Sequence, residues 1–241
     1  MSERPLRIGF VVEDALGHVT HAHALEAAVA ADGGIAADWI RIPPSADDAL
    51  GRVPGLPFSV RVSLRARRQI EARLRNGPFD GLFFHTQALT PACADIVGST
   101  PSVVSLDATP RNFATVAEGY GEQAAGGMRD VVKTVLFRRV FARARKLVTM
   151  SRWARDSLVE DYRVDAGKVS VVPPGIDLSA WRPRDAQAPR AGRLRLLFVG
   201  GDFRRKGGDT LVEAFRNGLA ERCELDIVTR DERVAGAEGI R

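Results

Sequence analysis

The stretch LLFVGGDFRRKGGDTLVEAF, residues 196–215, carries the pattern that decides the fold. Its apolar start belongs to a predicted strand over 195–199, because a short apolar run bounded by turn residues is typical of a buried strand. Two glycine pairs then enclose a basic turn, and residues 207–219 contain a predicted helix. Strand, glycine turn and helix in this order indicate one unit of a parallel α/β sheet.

The same alternation runs through the chain on either side of this stretch. It predicts an α/β fold with Rossmann-like parallel sheets and helices on both faces. In such a sheet, ligand crevices lie at the carboxyl ends of the strands. The other predicted strands are 6–12, 36–42, 80–84, 101–106, 146–150, 168–172 and 225–228, and the helices are 19–31, 60–75, 90–97, 129–144 and 151–161.

A change in composition predicts the domain organisation. Residues 173–192 contain four prolines and little periodicity, which is typical of an interdomain linker. We therefore expect a Rossmann-like domain over 1–180, a linker over 181–193 and a second domain that begins at 194. Two strands and one full helix are too few for an independent domain, so the second domain is expected to be incomplete.

Composition excludes several classes of protein. The chain has 241 residues, of which 45% are hydrophobic and 27% charged, as in ordinary globular proteins and unlike disordered or collagen-like ones. No apolar run approaches the ~18 residues of a membrane span, and the amino-terminal apolar stretch is too short for a signal peptide. Cys93 and Cys223 lie far apart, which excludes a disulfide framework and a cysteine-built zinc site. We expect a reducing, cytoplasmic location.

The formal net charge is +5, and the excess is concentrated in two stretches. Residues 51–80 carry seven arginines against two carboxylates, and residues 128–147 carry seven basic side chains against Asp130. Such stretches indicate either an anionic partner surface or merely solvated helix faces, and both readings stay open. No nucleic-acid-binding signature accompanies them, and aromatic residues are scarce, so a nucleic-acid partner is disfavoured.

Polar residues follow several predicted strands and form the candidate site. His85 follows an apolar run, Asp107 follows another strand, and Gly17 and His18 lie in the loop after the first strand. Because the carboxyl ends of parallel strands share one edge, these residues are expected to lie near one another. The structural alternatives are a packing role for His85 and capping of the next turn by Asp107.

The basic turn of the opening stretch is a candidate anion site. Glycine, as at Gly201, lets the backbone approach a ligand closely, and Arg205 and Lys206 stand beside a predicted helix start. The alternative is a solvated basic turn. No G-x-G-x-x-G after a strand, Walker A or G-x-S-x-G motif occurs, which disfavours dehydrogenases, P-loop NTPases and α/β-hydrolases.

SVVPPGIDLSAW, residues 170–181, followed by the stretch at 196–215, resembles family 4 of the retaining GT-B glycosyltransferases. The resemblance implies transfer of a sugar from a nucleotide sugar to an acceptor with retention, in cell-envelope glycan, glycolipid or polysaccharide synthesis. The alternative is a non-catalytic half-enzyme that binds an acceptor, a membrane or a partner. The resemblance also implies an anionic membrane surface as a partner, with a peripheral position on the inner face of the membrane.

Site roles follow from the same resemblance. Arg205 and Lys206 are expected to hold the donor diphosphate, although Gly201 stands where many members carry an arginine. The loop with Gly17 and His18 is expected to approach the donor phosphate, although a double glycine is common there. The two residues expected to act as catalytic groups near the reacting hydroxyl are His85 and Asp107.

No cofactor or metal is implied, because GT-B enzymes offset the diphosphate charge with basic side chains and helix N-termini. His21 and His23 are two residues apart and do not share a helix face, which disfavours a histidine metal site. Family members carry two acidic residues eight positions apart late in the second domain. Among the acidic residues after Phe203, Glu213 and Glu221 have that spacing, but they come too early. The 241-residue chain alone is therefore expected to be inactive or weakly active.

Overall fold

The computed structural model of the chain describes residues 4–45, 50, 52–53, 56–117, 128–182 and 192–231. Most of the predicted linker over 181–193 lies outside these ranges, as do Glu232 and Glu238. The chain divides into two compact units. The first comprises 1–118 and 123–181, and the second comprises 182–241 with 119–122.

The first unit is built on a six-stranded sheet in which every neighbouring pair is parallel. The strand order is β2-β1-β3-β4-β5-β6. The second strand therefore lies on one side of β1, and all later strands are added on its other side. This confirms the predicted α/β class. The strands are β1 (Leu6–Glu13), β2 (Ile35–Ile42), β3 (Gly81–His85), β4 (Ser102–Leu106), β5 (Lys146–Thr149) and β6 (Val169–Val171).

Helices cover both faces of this sheet, as parallel strands require. Alternate residues of β1 belong to different cores: Val11 packs in the larger cluster, whereas Phe10 and Val12 pack in a smaller one under the first helix. The helices are α1 (Leu16–Ala30), α2 (Phe58–Leu74), α3 (Ala94–Ser99), α4 (Pro110–Val116), α5 (Met128–Arg143) and α6 (Arg152–Glu160).

Two local elements differ from the sequence-based expectation. The predicted helix over 90–97 is a pair of tight turns, Gln87–Leu89 and Pro91–Cys93, followed by the short α3. Helix α4 was not predicted. It begins directly after Thr109, whose hydroxyl accepts a hydrogen bond from the Asn112 amide at 3.0 Å and so caps the helix.

The second unit pairs β7 (Leu194–Val199) with β8 (Cys223–Val228) in parallel. Helix α7 (Gly208–Ala214), continued by a wider turn over Phe215–Leu219, packs on one face of this pair. The other face leaves Leu197, Val199 and Val228 exposed. The predicted strand, turn and helix therefore form in this order.

Candidate functional site

The carboxyl ends of β1, β3 and β4 place three polar side chains at one edge of the first sheet. Glu13 ends β1, His85 ends β3, and Ser105 is the penultimate residue of β4. All three are buried. The Thr86 hydroxyl donates to Glu13 Oε2 at 2.6 Å, so this buried carboxylate has a partner.

His85 lies at the centre of a cluster of three histidines. Its Nε2 lies 3.2 Å from Nδ1 of His18, and its Nδ1 lies 3.4 Å from the Ser105 hydroxyl oxygen. The His21 ring packs against it at a tilt of 45°, with 4.5 Å between the ring centroids. Since His18 and His21 both lie in α1, the helix that follows β1 brings them onto the end of β3.

Burial controls the charge of this cluster. It lowers the pKa of His85 to about 3, with smaller contributions from His18 and His21. The pKa of His21 is also lowered, by burial first and then by His18. His85 is therefore neutral at physiological pH, with one ring nitrogen that donates and one that accepts a hydrogen bond.

The predicted site residues of the first unit differ in exposure. His85 is completely buried, whereas its neighbours His18 and His21 are half-buried. Asp107 is exposed, and its Oδ1 accepts a hydrogen bond from the Ala108 amide at 2.8 Å. Its carboxylate does not cap α4, because Thr109 does. A side chain at Gly17 would meet no atom within 4 Å, so packing does not require glycine there.

A buried hydrogen-bond network that sequence reasoning missed supports the start of α4. The Thr109 hydroxyl lies 2.7 Å from the Ser157 hydroxyl of α6, and Ser157 donates to Asp161 Oδ2 at 2.6 Å. Asn112 Oδ1 accepts a hydrogen bond from the Thr109 amide at 3.1 Å, which completes a capping box. The signal in the sequence is Thr-Pro followed two residues later by asparagine, with proline at the first helical position.

A cavity of about 400 Å³ opens beside this network, between α4, α5 and the end of α6. Its lining combines cations and carboxylates: Arg111 and Lys133 face it with Asp130 and Asp161. The Arg111 and Asp161 side chains lie 3.8 Å apart. A mixed set of donors and acceptors of this kind suits a hydroxyl-rich ligand.

In the second unit, the two predicted basic residues have different surroundings. Arg205 is half-buried, and its Nε donates to Asp202 Oδ2 at 3.0 Å. The Arg205 amide and side chain lower the pKa of Asp202. Lys206 is exposed. Of the two, Lys206 presents the freer cation to a ligand.

The glycines of the same turn serve the local structure. Gly207 has φ +82° at the start of α7, a left-handed conformation that L side chains rarely adopt. A Cβ at Gly208 would clash with the ring of the buried Phe203. A Cβ at Gly201 would make only ordinary contacts with the Arg230 side chain, so packing leaves that position open.

The basic stretches also differ from each other. Along α2, Arg65 is buried, Arg67 pairs with Asp95 at 2.6 Å, and Arg73 pairs with Asp38 at 2.8 Å. Many α2 cations are thus engaged within the fold.

Along α5, Arg138 and Arg139 are exposed. On the same helix Val131, Val132 and Val135 are about 60% exposed. An exposed apolar stripe beside exposed cations distinguishes α5 from α2.

Comparison with known proteins identifies the family. The family described as Glycosyltransferase Family 4 matches residues 17–180. The chain belongs to this family. Among curated family relatives, D-inositol 3-phosphate glycosyltransferase of Streptomyces avermitilis is 36% identical over 94 residues, a segment that covers 36% of this chain and 20% of the relative.

Solved structures share the fold at low sequence identity. Sucrose-phosphate synthase of Thermosynechococcus elongatus has a TM-score of 0.62 at 15% identity, covering 92% of this family 4 chain and 62% of that one. UDP-GlcNAc 2-epimerase of Neisseria meningitidis, bound to UDP-GlcNAc, has a TM-score of 0.57 at 9% identity. The match covers 98% of this chain and 71% of the epimerase chain. These likenesses confirm the predicted GT-B fold class and show the fold alone.

Across the described ranges of this family 4 chain, no group of three or more histidine, cysteine, aspartate or glutamate side chains is arranged to hold a metal ion. Within the same ranges, no helix has the length and apolar character needed to cross a bilayer.

Proposed function

We propose that this chain is part of a retaining glycosyltransferase that transfers a sugar from a nucleotide sugar to an acceptor hydroxyl, in cell-envelope glycan, glycolipid or polysaccharide synthesis. The observation that carries the proposal is the family match over residues 17–180. The cluster of buried polar residues at the carboxyl edge of the sheet supports it, because open α/β sheets bind ligands there.

In this proposal, the first unit binds the acceptor. The exposed Asp107 follows β4 and lies three residues before the first residue that lines the cavity beside α4. The cavity suits a ligand with several hydroxyl groups, as an acceptor sugar or polyol has. His85 contributes as a neutral, buried imidazole and supplies no charge.

The second unit supplies the cation for the leaving diphosphate. Lys206 is exposed, and an ammonium group beside a phosphate makes a charge-assisted hydrogen bond. Such a contact stabilises the negative charge that develops as the sugar–phosphate bond breaks. Arg205 is held by Asp202, so it contributes by orienting the turn.

The test of the reaction is an assay of the purified chain with a panel of nucleotide sugars and hydroxyl-bearing acceptors. We expect weak transfer, and the product should keep the anomeric configuration of the donor, as read by NMR. Products of inverted configuration would contradict the proposal. Binding of acceptors without any turnover would favour the non-catalytic alternative.

The test of Lys206 is its replacement by alanine, with Arg204→Ala as the matched control in the same turn. Loss of a charge-assisted contact should weaken binding of nucleoside diphosphates roughly 10-fold or more, and lower kcat/KM by one to two decades where turnover is measurable. Calorimetry with several nucleoside diphosphates measures the first quantity. Equal affinities of the folded Lys206→Ala variant and the parent would contradict the assignment.

Peripheral membrane association forms the last part of the proposal. The α5 face combines exposed valines with Arg138 and Arg139, a surface suited to an anionic bilayer. Each basic residue near such a surface contributes about 1 kcal/mol to binding.

A further inference from the structure

The hydrogen-bonded row Ser105–His85–His18 has two possible directions of donation. In the first, the Ser105 hydroxyl donates to His85 Nδ1, and His85 Nε2–H donates to His18 Nδ1. In the second, His18 Nδ1–H donates to His85 Nε2, and His85 Nδ1–H donates to the Ser105 hydroxyl oxygen. The two directions leave His18 with opposite tautomers, and hence with opposite chemistry at its remaining nitrogen.

The burial of the row selects the first direction. Among the residues that the structure describes, the Ser105 hydroxyl has no other hydrogen-bond partner than His85. In the second direction the Ser105 hydrogen would therefore be buried without an acceptor. An unmet buried donor is rarer in proteins and more costly than an unused lone pair. Because His85 is neutral, its other nitrogen must then carry the proton.

We propose that Ser105 and His85 are positioning residues that hold the His18 imidazole with Nδ1 accepting and Nε2–H free, so that Nε2–H donates to a phosphate oxygen of the donor substrate. The inference rests on the proposed function. It assigns the ligand contact to His18 and a supporting role to the completely buried His85.

The surroundings of His18 suit an anionic oxygen. His18 lies in the first turn of α1, a 15-residue helix whose dipole places partial positive charge at this end. No side chain caps this helix start among the described residues. His21 packs against His85 and limits the rotation of its ring. The Nε2–H of His18 thus adds a directed donor to an electropositive helix end.

The first experiment reads the tautomers in the ligand-free chain. NMR of 15N-histidine-labelled protein should show Nε2–H tautomers for both His85 and His18, and a 15N–15N coupling across the hydrogen bond between them. Ser105→Ala should make Nδ1 protonation of His85 detectable, and Ser105→Thr should reverse that change. Nδ1–H at His18, or no coupling between the two rings, would overturn the proposal.

The second experiment uses inorganic pyrophosphate as the probe. Pyrophosphate should shift the His18 Nε2 resonance and leave that of the exposed His23 unmoved. His85→Leu removes the donor to His18, so the affinity should fall about 3- to 10-fold, whereas His85→Gln keeps a donor and should restore it. A His18 signal that pyrophosphate leaves unchanged would overturn the ligand contact.

These readouts need no turnover, so they separate this inference from the proposed function. A chain with the expected tautomers and pyrophosphate response that forms a product of inverted configuration would leave the positioning row supported and the proposed reaction contradicted. A chain that transfers sugar with retention but carries His18 as the Nδ1–H tautomer would support the proposed reaction and contradict the positioning row.

Discussion

Replacing His85 with leucine should reduce the acid sensitivity of the first unit between pH 5 and pH 7.5. His85 is completely buried and its pKa is lowered to about 3, chiefly by burial. In the unfolded chain the same imidazole titrates at its ordinary value of 6.5. Acid therefore draws a proton onto the unfolded chain that the folded protein does not bind, and the free energy of unfolding falls.

The size of the effect follows from the difference between the two pKa values. Between pH 6.5 and about pH 3 the unfolded state binds one more proton than the folded state, so stability rises with pH by about 1.4 kcal/mol per pH unit. The contribution is complete above pH 6.5 and is lost as pH falls. At pH 5 the loss should be about 2 kcal/mol. His21, whose pKa is also lowered, adds to the loss in the same direction.

Tryptophan fluorescence isolates the unit of interest, because Trp39, Trp153 and Trp181 all belong to the first unit. Urea titrations at pH 5, 6 and 7.5 give the slope of the unfolding free energy against pH. The slope should be clearly smaller in His85→Leu than in the parent, and unchanged in the exposed control His23→Gln. Equal slopes in the parent and His85→Leu would refute the reasoning.

Three further predictions concern the cap, the glycine turn and the α5 face. Thr109→Ala should lower the free energy of unfolding of the first unit by about 1–3 kcal/mol in urea titrations, because it removes the α4 cap and a buried hydrogen bond, whereas Thr109→Ser should cost less. Gly208→Ala should speed hydrogen exchange in β7 and β8, because its Cβ would clash with the Phe203 ring, and unchanged exchange would contradict this. Arg138→Glu should reduce co-sedimentation with anionic vesicles more than Arg68→Glu in α2, and equal reductions would argue against the α5 face.

Local patterns in the sequence were sufficient to predict the strands. The ends of β1 and β2 lie within one residue of the expected positions. A short apolar run bounded by glycine, proline or charged residues is typical of a buried strand, so its ends can be read from the sequence. Helix α4 escaped prediction because it has only seven residues, too short for a helical periodicity to show. Its capping box was the signal, and that signal depends on two residues alone.

The candidate site was predictable in part. That a residue just after β1 and one at the end of β3 meet at one edge follows from parallel topology, and His18 and His85 do meet there. That His85 is completely buried, and that Ser105 lies against its other nitrogen, depends on side-chain packing across strands far apart in sequence. The spacing of residues along the sequence does not indicate such contacts between side chains.

The glycine turn shows why residue type alone does not assign a ligand role. Two glycines before a helix are equally suited to a close ligand approach and to a tight turn. Here Gly207 adopts a left-handed conformation and Gly208 lies against the Phe203 ring, so both glycines have a structural cause without any ligand. Lys206 has no comparable cause, because it is exposed and a long charged side chain there supports no core. The proposed diphosphate role therefore rests on Lys206, and in that proposal the two glycines contribute by fixing the turn from which the lysine projects.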